Sequence, residues 1–332
     1  MTTSLSSEGT FEPFIPARLD RLPWSRFHWL LVIGLGITWV LDGLEVTLMG
    51  AISAVLQRPD VLHFSGAQIG AISSCYLAGA VLGSLVFGHL TDRYGRRTFF
   101  FISLAIYLSG VGLTAFSWSL WNFALFRFIT GTGIGGEYSA VNSAIDELIP
   151  ARLRGKVDLI ANGSYWLGAA AGAASTLIIL NPRILPLQIG WRVGFGAGAI
   201  IGIAILYLRK FIPESPRWLM THGQLDAAEK TVRHVEQTVA QESRQRLEAP
   251  PQGSTIRIHE RHRFGLIAIL TPIVTMLRSR SVLRLSLMIA QAFVYNAMLF
   301  TYALVLARFY GCRPTALEFT SCPSHSGTSL VH

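Results

Sequence analysis

The apolar residues of this 332-residue chain fall in blocks of roughly twenty, the length that carries a helix across about 30 Å of hydrocarbon at 1.5 Å per residue. No other feature constrains the fold as tightly. In lipid every backbone polar group must be satisfied within the protein, so only helices and closed barrels can span. Seven blocks are expected to form helices, over residues 27–50, 68–90, 99–118, 121–145, 158–180, 191–211 and 282–310. Charged residues make up only 14% of the chain and hydrophobic ones 51%, against roughly 25% charged in soluble domains. The expected class is an all-α membrane protein.

A net charge of +9 raises the question of a nucleic-acid partner. The positions of the charges argue against one. Arg and Lys gather in alternate gaps between the blocks: the N-terminal arm, Asp92–Arg97, Ala151–Lys156 and Pro213–Arg280. The opposite gaps hold Arg58 in one, none over Ser117–Ser119, and Arg183 with Arg192 in the third. This is the positive-inside pattern. It predicts a multi-pass protein of the inner (plasma) membrane with a cytoplasmic N-terminus, the lipid bilayer as its partner, and no nucleic acid. Arg18, Arg21 and Arg26 ahead of the first block imitate a signal peptide, but the block runs on past Asp42 to Met49 without a small-residue cleavage site, so it reads as a retained span.

Cys75, Cys312 and Cys322 show no metal or disulfide spacing, and no metal or cofactor is expected. No H-E-x-x-H, nucleophile elbow or phosphate-binding loop occurs, so the chain does not read as an enzyme. Asn162-Gly163-Ser164 fits a glycosylation pattern but sits at a span start on the cytoplasmic side, where it reads as a false match.

The organisation expected is a cytoplasmic arm over 1–26, a six-helix bundle over 27–211, a cytoplasmic loop over 212–281, a seventh span over 282–310 and a polar tail over 311–332. Within the loop, Gly223 to Leu247 reads helical, with Ala227, Ala228, Val232, Val235 and Val239 near one face. Pro250, Pro251 and Gly253 then break it. The basic run Arg257, Arg261, Arg263, Arg278, Arg280 and Arg284 reads as a cytoplasmic flank, with anionic headgroups as the alternative partner. Small residues recur every four positions, as in Gly79 and Gly83, Ser164, Gly168 and Gly172, and Gly194, Gly198 and Gly202. Such stripes let helices approach closely where no hydrophobic force drives them together.

The functional signal is ionisable groups inside apolar blocks, where a charge costs roughly 2.5–3.5 kcal/mol even on the lenient scale. The first span carries Asp42 and Glu45, the fourth Arg127 and Glu137, and the seventh Gln291, Tyr295, Asn296 and Tyr302. Asn162 and Tyr165 lie in the fifth. If spans one to three and four to six are related triplets, spans one, four and seven hold equivalent places around a common path. Asp42, Glu45, Arg127, Glu137, Gln291 and Asn296 are the candidate substrate and proton pathway. The alternative for Arg127 and Glu137 is a purely structural ion pair.

Four motifs then carry a family resemblance. Gly88-His89-Leu90-Thr91-Asp92-Arg93-Tyr94-Gly95-Arg96-Arg97 resembles the major facilitator loop G-x-L-x-D-R-x-G-R-R. Pro213-Glu214-Ser215-Pro216-Arg217-Trp218-Leu219 resembles the P-E-S-P-R-W-L of the sugar porters and related metabolite transporters. Arg127, Gly131, Gly133, Gly135, Gly136 and Glu137, followed by Pro150, Arg152, Arg154 and Gly155, are similar to a run of the same group. Asp42-Gly43-Leu44-Glu45 resembles the D-G-x-D/E of proton-coupled aromatic-acid and nicotinic-acid transporters. The resemblance implies the N-terminal six-helix bundle of the major facilitator fold plus part of the second bundle. It implies alternating-access transport of a small organic solute (a sugar, organic acid or other metabolite) coupled to protons. It also implies a conformational latch at Gly88, Asp92, Arg93, Gly95, Arg96 and Arg97, with the inter-bundle motif Pro213, Glu214, Ser215, Pro216 and Arg217 nearby.

From Cys312 the sequence turns polar and leaves the family pattern. Two further readings therefore stay open: a truncated, non-transporting fragment, or a half-size transporter acting as a dimer. On either reading a missing C-terminal half or a second chain is needed for activity. In a lone half, Asp42, Glu45 and Arg127 are expected to open toward lipid, and Gln291, Tyr295 and Asn296 to face lipid or the wrong surface.

Overall fold

The computed structural model describes residues 10–11, 15–208, 214–243, 258–259, 275 and 278–309. Pro213, the break at Pro250–Gly253, Arg257, Arg261, Arg263 and the tail with Cys312 and Cys322 lie outside the described residues. So does the side chain of Tyr302.

Seven long helices stand at the seven apolar blocks: α2 (Arg26–Leu56), α3 (Gly66–Tyr94), α4 (Arg96–Thr114), α5 (Leu120–Leu148), α6 (Arg154–Ile179), α7 (Leu187–Leu208) and α10 (Arg278–Phe309). A short α1 (Ile15–Asp20) precedes them, and α8 (Pro216–Thr221) with α9 (Leu225–Ser243) form the helical part of the loop. Among the described residues, an antiparallel pairing joins β1 (Thr10–Phe11) to β2 (Ile258–His259).

The helix starts follow local chemistry. Ser65 accepts from the Gln68 N–H at 3.2 Å while the Gln68 side chain accepts from the Ser65 N–H at 2.8 Å, a reciprocal cap that opens α3. Ser215 accepts from the Trp218 N–H at 3.0 Å, and Pro216 follows it at the first helical turn. Gly95 joins α3 to α4 with φ of +106°, a left-handed value that a residue with Cβ rarely adopts.

By length and composition α2, α3, α4 and the Arg278–Met298 stretch of α10 are apolar enough to cross a membrane. The helices α5 and α6 are as long but carry glycines and polar groups on their packed faces, and α7 offers a shorter apolar run, Leu187–Ile203. Large apolar side chains stand exposed on the outer faces, among them Leu85 and Val86 of α3, Leu159 and Leu167 of α6, and Ile200 and Ile203 of α7. In water such a surface would be an association site, whereas in hydrocarbon it is the solvated face.

The main helix pairs are α3 with α5 and α2 with α6. If α2–α4 and α5–α7 are exchanged as triplets, the first pair maps onto the second, which is the pattern an internal repeat produces. Both seams depend on absent side chains. A Cβ on Gly79 or Gly83 of α3 would overlap the backbone of α5 at Phe128 or Thr132, and one on Gly131 or Gly135 of α5 would overlap α3 at Tyr76 or Ala80. The stripes at Gly79, Gly83, Gly168 and Gly172 are therefore packing faces, with Gly168 and Gly172 seated on α2 at Val40 and Leu44. Likewise Gly131 and Gly135 admit helix α3, not a ligand, beside Arg127.

Candidate functional site

A cavity of about 320 Å³ opens between α2, α3, α5, α6 and α10. Its walls are Trp39, Asp42 and Val46 of α2, Tyr76, Leu77 and Ala80 of α3, Ile134 and Tyr138 of α5, Asn162, Tyr165 and Trp166 of α6, and Gln291, Tyr295 and Asn296 of α10. Two features dominate it. Aromatic rings form most of the large surfaces, with Trp39 and Tyr138 stacked at 4.5 Å between centroids and Tyr295 edge-on to both Tyr165 and Trp166 at 6.0 and 6.2 Å. Asp42 is the one carboxylate, and no Lys or Arg, among the described lining residues.

Asp42 is buried, and its two oxygens are separately held. Tyr76 donates to Oδ1 at 3.0 Å, and Tyr138 donates to Oδ2. Behind Tyr76 lies Arg127, wholly buried, with its guanidinium 4.5 Å from the Tyr76 ring centroid and 5.8 Å from that of Phe195 on α7. Arg127 is ion-paired with Glu45. A continuous series thus runs from the Glu45–Arg127 pair through Tyr76, Asp42 and Tyr138 to Trp39 in the cavity wall. Three residues apart, Asp42 and Glu45 point to adjoining sides of α2, and their contacts place Asp42 at the cavity and Glu45 against Arg127.

Of the sequence candidates, Asp42, Gln291 and Asn296 meet in the cavity, while Glu45 and Arg127 sit one layer behind it. Glu137 lies elsewhere, accepting from Ser103 of α4 at 2.8 Å and from Thr38 of α2 at 3.4 Å. The expectation that Asp42, Glu45 and Arg127 open toward lipid is corrected: they are 3%, 2% and 0% exposed. The first six long helices, with α10 packed on α2 and α3, close around these charges. On α10, which packs on α2 and α3, Tyr295 and Asn296 are half-buried and line the cavity together with Gln291, which stays exposed. Trp39, Tyr76, Tyr138 and Trp166 were not singled out in the sequence. Aromatic residues blend into apolar blocks, and only their spacing from Asp42, as in Trp39 three residues earlier, distinguishes them.

A second constellation gathers at one end of the bundle. The carboxylate of Glu214 accepts from the Arg96 and Arg97 N–H groups at 2.9 and 3.2 Å, an anion on the first turn of α4. Arg96 reaches Asp92 at 3.6 Å and Glu147 at 2.8 Å. Ser215 is hydrogen-bonded to Glu147, and the Trp218 indole donates to the Asp92 carbonyl at 2.9 Å. Arg217 faces Asp146 and Glu147 across a neighbouring cleft, Arg93 lies over the Tyr94 ring at 5.2 Å, and Pro216 is buried at the start of α8. Gly88 faces Ser139 of α5. The loop motif after α3 and the motif after α7 are thus one cluster, knitted by Glu147 and Trp218. Glu147 carried no sequence signal.

The sequence matches the family model described as sugar (and other) transporter over residues 33–321. The niacin transporter NiaP of Acinetobacter baylyi is 30% identical over 220 residues, covering 66% of this chain and 48% of that protein. The inner membrane metabolite transport protein YdjE of Escherichia coli is 33% identical over 243 residues, covering 71% of this chain and 50% of that one. Among solved structures, the major facilitator superfamily proton:xylose symporter XylE superposes with a TM-score of 0.57 at 21% identity, over 65% of this chain and 51% of that one. The chain therefore spans about half the length of the curated relatives it matches, and the fold of its bundle is the major facilitator fold.

Proposed function

The chain belongs to the sugar (and other) transporter family, and from that premise we propose that it supplies the N-terminal bundle, and the first helix of the second, of a carrier that moves a small organic solute by alternating access. The solute class we propose is a flat aromatic acid, moved together with a proton across the inner membrane, with the N-terminus cytoplasmic. The single observation that carries this reading is the cavity itself: stacked and edge-on rings surrounding one buried carboxylate. Aromatic faces favour a planar ring. The amides of Asn162, Gln291 and Asn296 supply directional donors and acceptors along its edge. A relative that carries niacin, a pyridine ring with one carboxylate, supports the same class.

Proton coupling follows from charge. An anionic solute beside an ionised Asp42 is repelled, and no Lys or Arg among the described lining residues offsets that repulsion. A proton on Asp42 removes the clash, so solute and proton favour each other's binding. The latch cluster around Asp92, Arg96 and Glu214 supports the alternating-access part, since it ties the end of α3 and α4 to the segment that leads toward α10.

The test is niacin binding by the full 332-residue chain in detergent, followed by quenching of its tryptophans. Saturable quenching that largely disappears in Trp39→Phe/Trp166→Phe, with no saturation by xylose, is expected. Saturation by xylose and not niacin would move the solute class to sugars. Saturation by neither would overturn the reading.

A further inference from the structure

Tyr138 has two contacts that no other lining residue combines. Its hydroxyl is bonded to Asp42 Oδ2, and its ring is stacked on Trp39 in the wall where a ring-bearing solute would lie. Tyr76 holds the other carboxylate oxygen but backs onto Arg127. The two tyrosines are therefore not equivalent. We propose that Tyr138 is a hydrogen-bond relay, which reports the proton on Asp42 to the solute by reversing the direction of its own hydroxyl.

The proposal rests on the reading of this cavity as the solute site and identifies the device that couples it. A hydroxyl has one proton to donate and two lone pairs to accept with. With Asp42 ionised, both of its oxygens only accept, so Tyr138 must spend its O–H on Oδ2 and can offer the solute nothing but lone pairs. A carboxylate then meets lone pairs and a buried negative charge. When Asp42 takes a proton from hydronium in the cavity water, one O–H bond of the hydronium breaks to leave water, one O–H bond forms on Oδ2, and no bond of Tyr138 breaks. The new Asp42 O–H donates to the Tyr138 oxygen, and the Tyr138 O–H rotates into the cavity and donates to the solute carboxylate. The proton count balances at one proton per solute, and Tyr138 keeps its own throughout. A hydrogen bond to a charged group contributes about 1.5–3 kcal/mol, which is roughly tenfold to a hundredfold in affinity.

The surroundings of Asp42 bear on which group responds to pH. Facing it are Tyr76 from α3, Tyr107 from α4, Arg127 and Tyr138 from α5, Tyr165 from α6 and Tyr295 from α10, with Glu45 one turn along its own helix and Glu137 beyond Tyr107. From α7 the neighbour is Phe195, packed on Arg127, and α9 meets α2 at its N-terminal end, where Glu242 accepts from the Phe27 N–H. Glu45 is already paired with Arg127, and Tyr107 donates to the Leu41 carbonyl at 3.4 Å. Asp42 is the carboxyl that touches both the cavity and a hydroxyl able to turn into it.

The experiment is calorimetric titration of the full chain with niacin at about pH 6 and about pH 8, where model carboxyls and tyrosines are otherwise fixed in state. Wild type is expected to bind roughly tenfold more tightly at the lower pH, the lower end of the range set by one such hydrogen bond. Tyr138→Phe removes only the hydroxyl and keeps the ring stack, so it should bind weakly and keep only the part of the pH dependence that repulsion by ionised Asp42 supplies. Asp42→Asn carries a permanent donor toward Tyr138 and should bind tightly at both values. In the double variant Asp42→Asn/Tyr138→Phe the affinity should fall to that of Tyr138→Phe at the lower pH. A Tyr138→Phe chain that retains the full pH dependence while Asp42→Asn loses it would overturn the relay and leave the solute site standing. A wild-type chain that binds no niacin at either pH would overturn the site and the relay together.

Discussion

Arg127 and Glu45 set the terms at the residue scale. Both are buried, Asp42 is the other charge near Arg127 but is held by two tyrosines, and the guanidinium nitrogens have no hydrogen-bond acceptor among the described residues beyond the Glu45 pairing. Breaking a buried pair by neutralising one side strands the other charge, at a cost of roughly 3–5 kcal/mol. Glu45→Gln should therefore lower the midpoint of thermal unfolding in detergent substantially. Arg127→Lys should not match wild type either, because an ammonium keeps the charge but cannot lie flat over Tyr76 and Phe195. A Glu45→Gln chain that melts with wild type would show that the pair carries no structural weight. The presence of costly charges was readable from the sequence, since any ionisable group in an apolar block stands out. Their pairing was not. Asp42 and Glu45 are equally plausible partners on paper, and only the rotation of α2 against α5 assigns Glu45 to Arg127 and Asp42 to two tyrosines.

Among the elements, the N-terminal arm behaves differently from a polar leader. Ile15, Leu19 and Leu22 pack with Leu219, Met220, Ala228, Val232, Val235 and Val239 in a small core of their own. Arg18 bonds Glu229 at 2.6 Å and Glu236 at 2.5 Å, and Arg21 reaches Glu236 at 2.5 Å. Asp20 accepts from the Ala151 N–H at 2.8 Å, so the arm also touches the turn before α6. The apolar stripe of α9 was legible as helical spacing. Its partner was not, because the matching residues lie some two hundred positions earlier and make too short a helix to show a period. Burial tends to raise the Glu236 carboxyl, but the hydrogen bonds from Arg18 and Arg21 outweigh it and hold the group below the ordinary glutamate range. A carboxyl depressed in the folded state contributes stability above its unfolded value and loses it as pH falls through the folded one. Arm docking should thus be constant through neutral pH and fail only below the usual glutamate range. Near neutrality, Arg18→Glu should expose the chain to trypsin at Arg21 and Arg26, by about fivefold for each kcal/mol lost from this partly screened cluster. Arg18→Lys, which keeps a cation beside Glu229 and Glu236, should retain most of the protection. Cleavage unchanged by Arg18→Glu would mean that the apolar core alone holds the arm.

Across the whole molecule, the apolar blocks announced the seven long helices with errors of a few residues at their ends, because span length and backbone satisfaction leave little choice in lipid. The sequence reading took two related triplets as a condition, and the seams of α3 with α5 and α2 with α6 are a pair that such a relation would exchange. What escaped the sequence was the cavity wall. Its aromatic rings carry no charge to mark them, and its position depends on how α10 leans against α2 and α3. Glycine stripes told which faces meet, but not which faces stay apart. The central claim is that the space left between them is a wet solute path in a membrane-embedded bundle whose N-terminus is cytoplasmic. The direct measurement is thiol labelling of single cysteines in a chain whose Cys75, Cys312 and Cys322 have been changed to Ser. Cysteines at Asn162 and Asn296 should react with a small water-soluble maleimide in permeabilised cells and be protected by niacin, while one at Leu85, on the outer face of α3, should react poorly with or without it. In intact cells an impermeant maleimide should label a cysteine at Arg58 and spare one at Arg154. Niacin-insensitive labelling at 162 and 296, or labelling at 154 with protection at 58, would contradict the account.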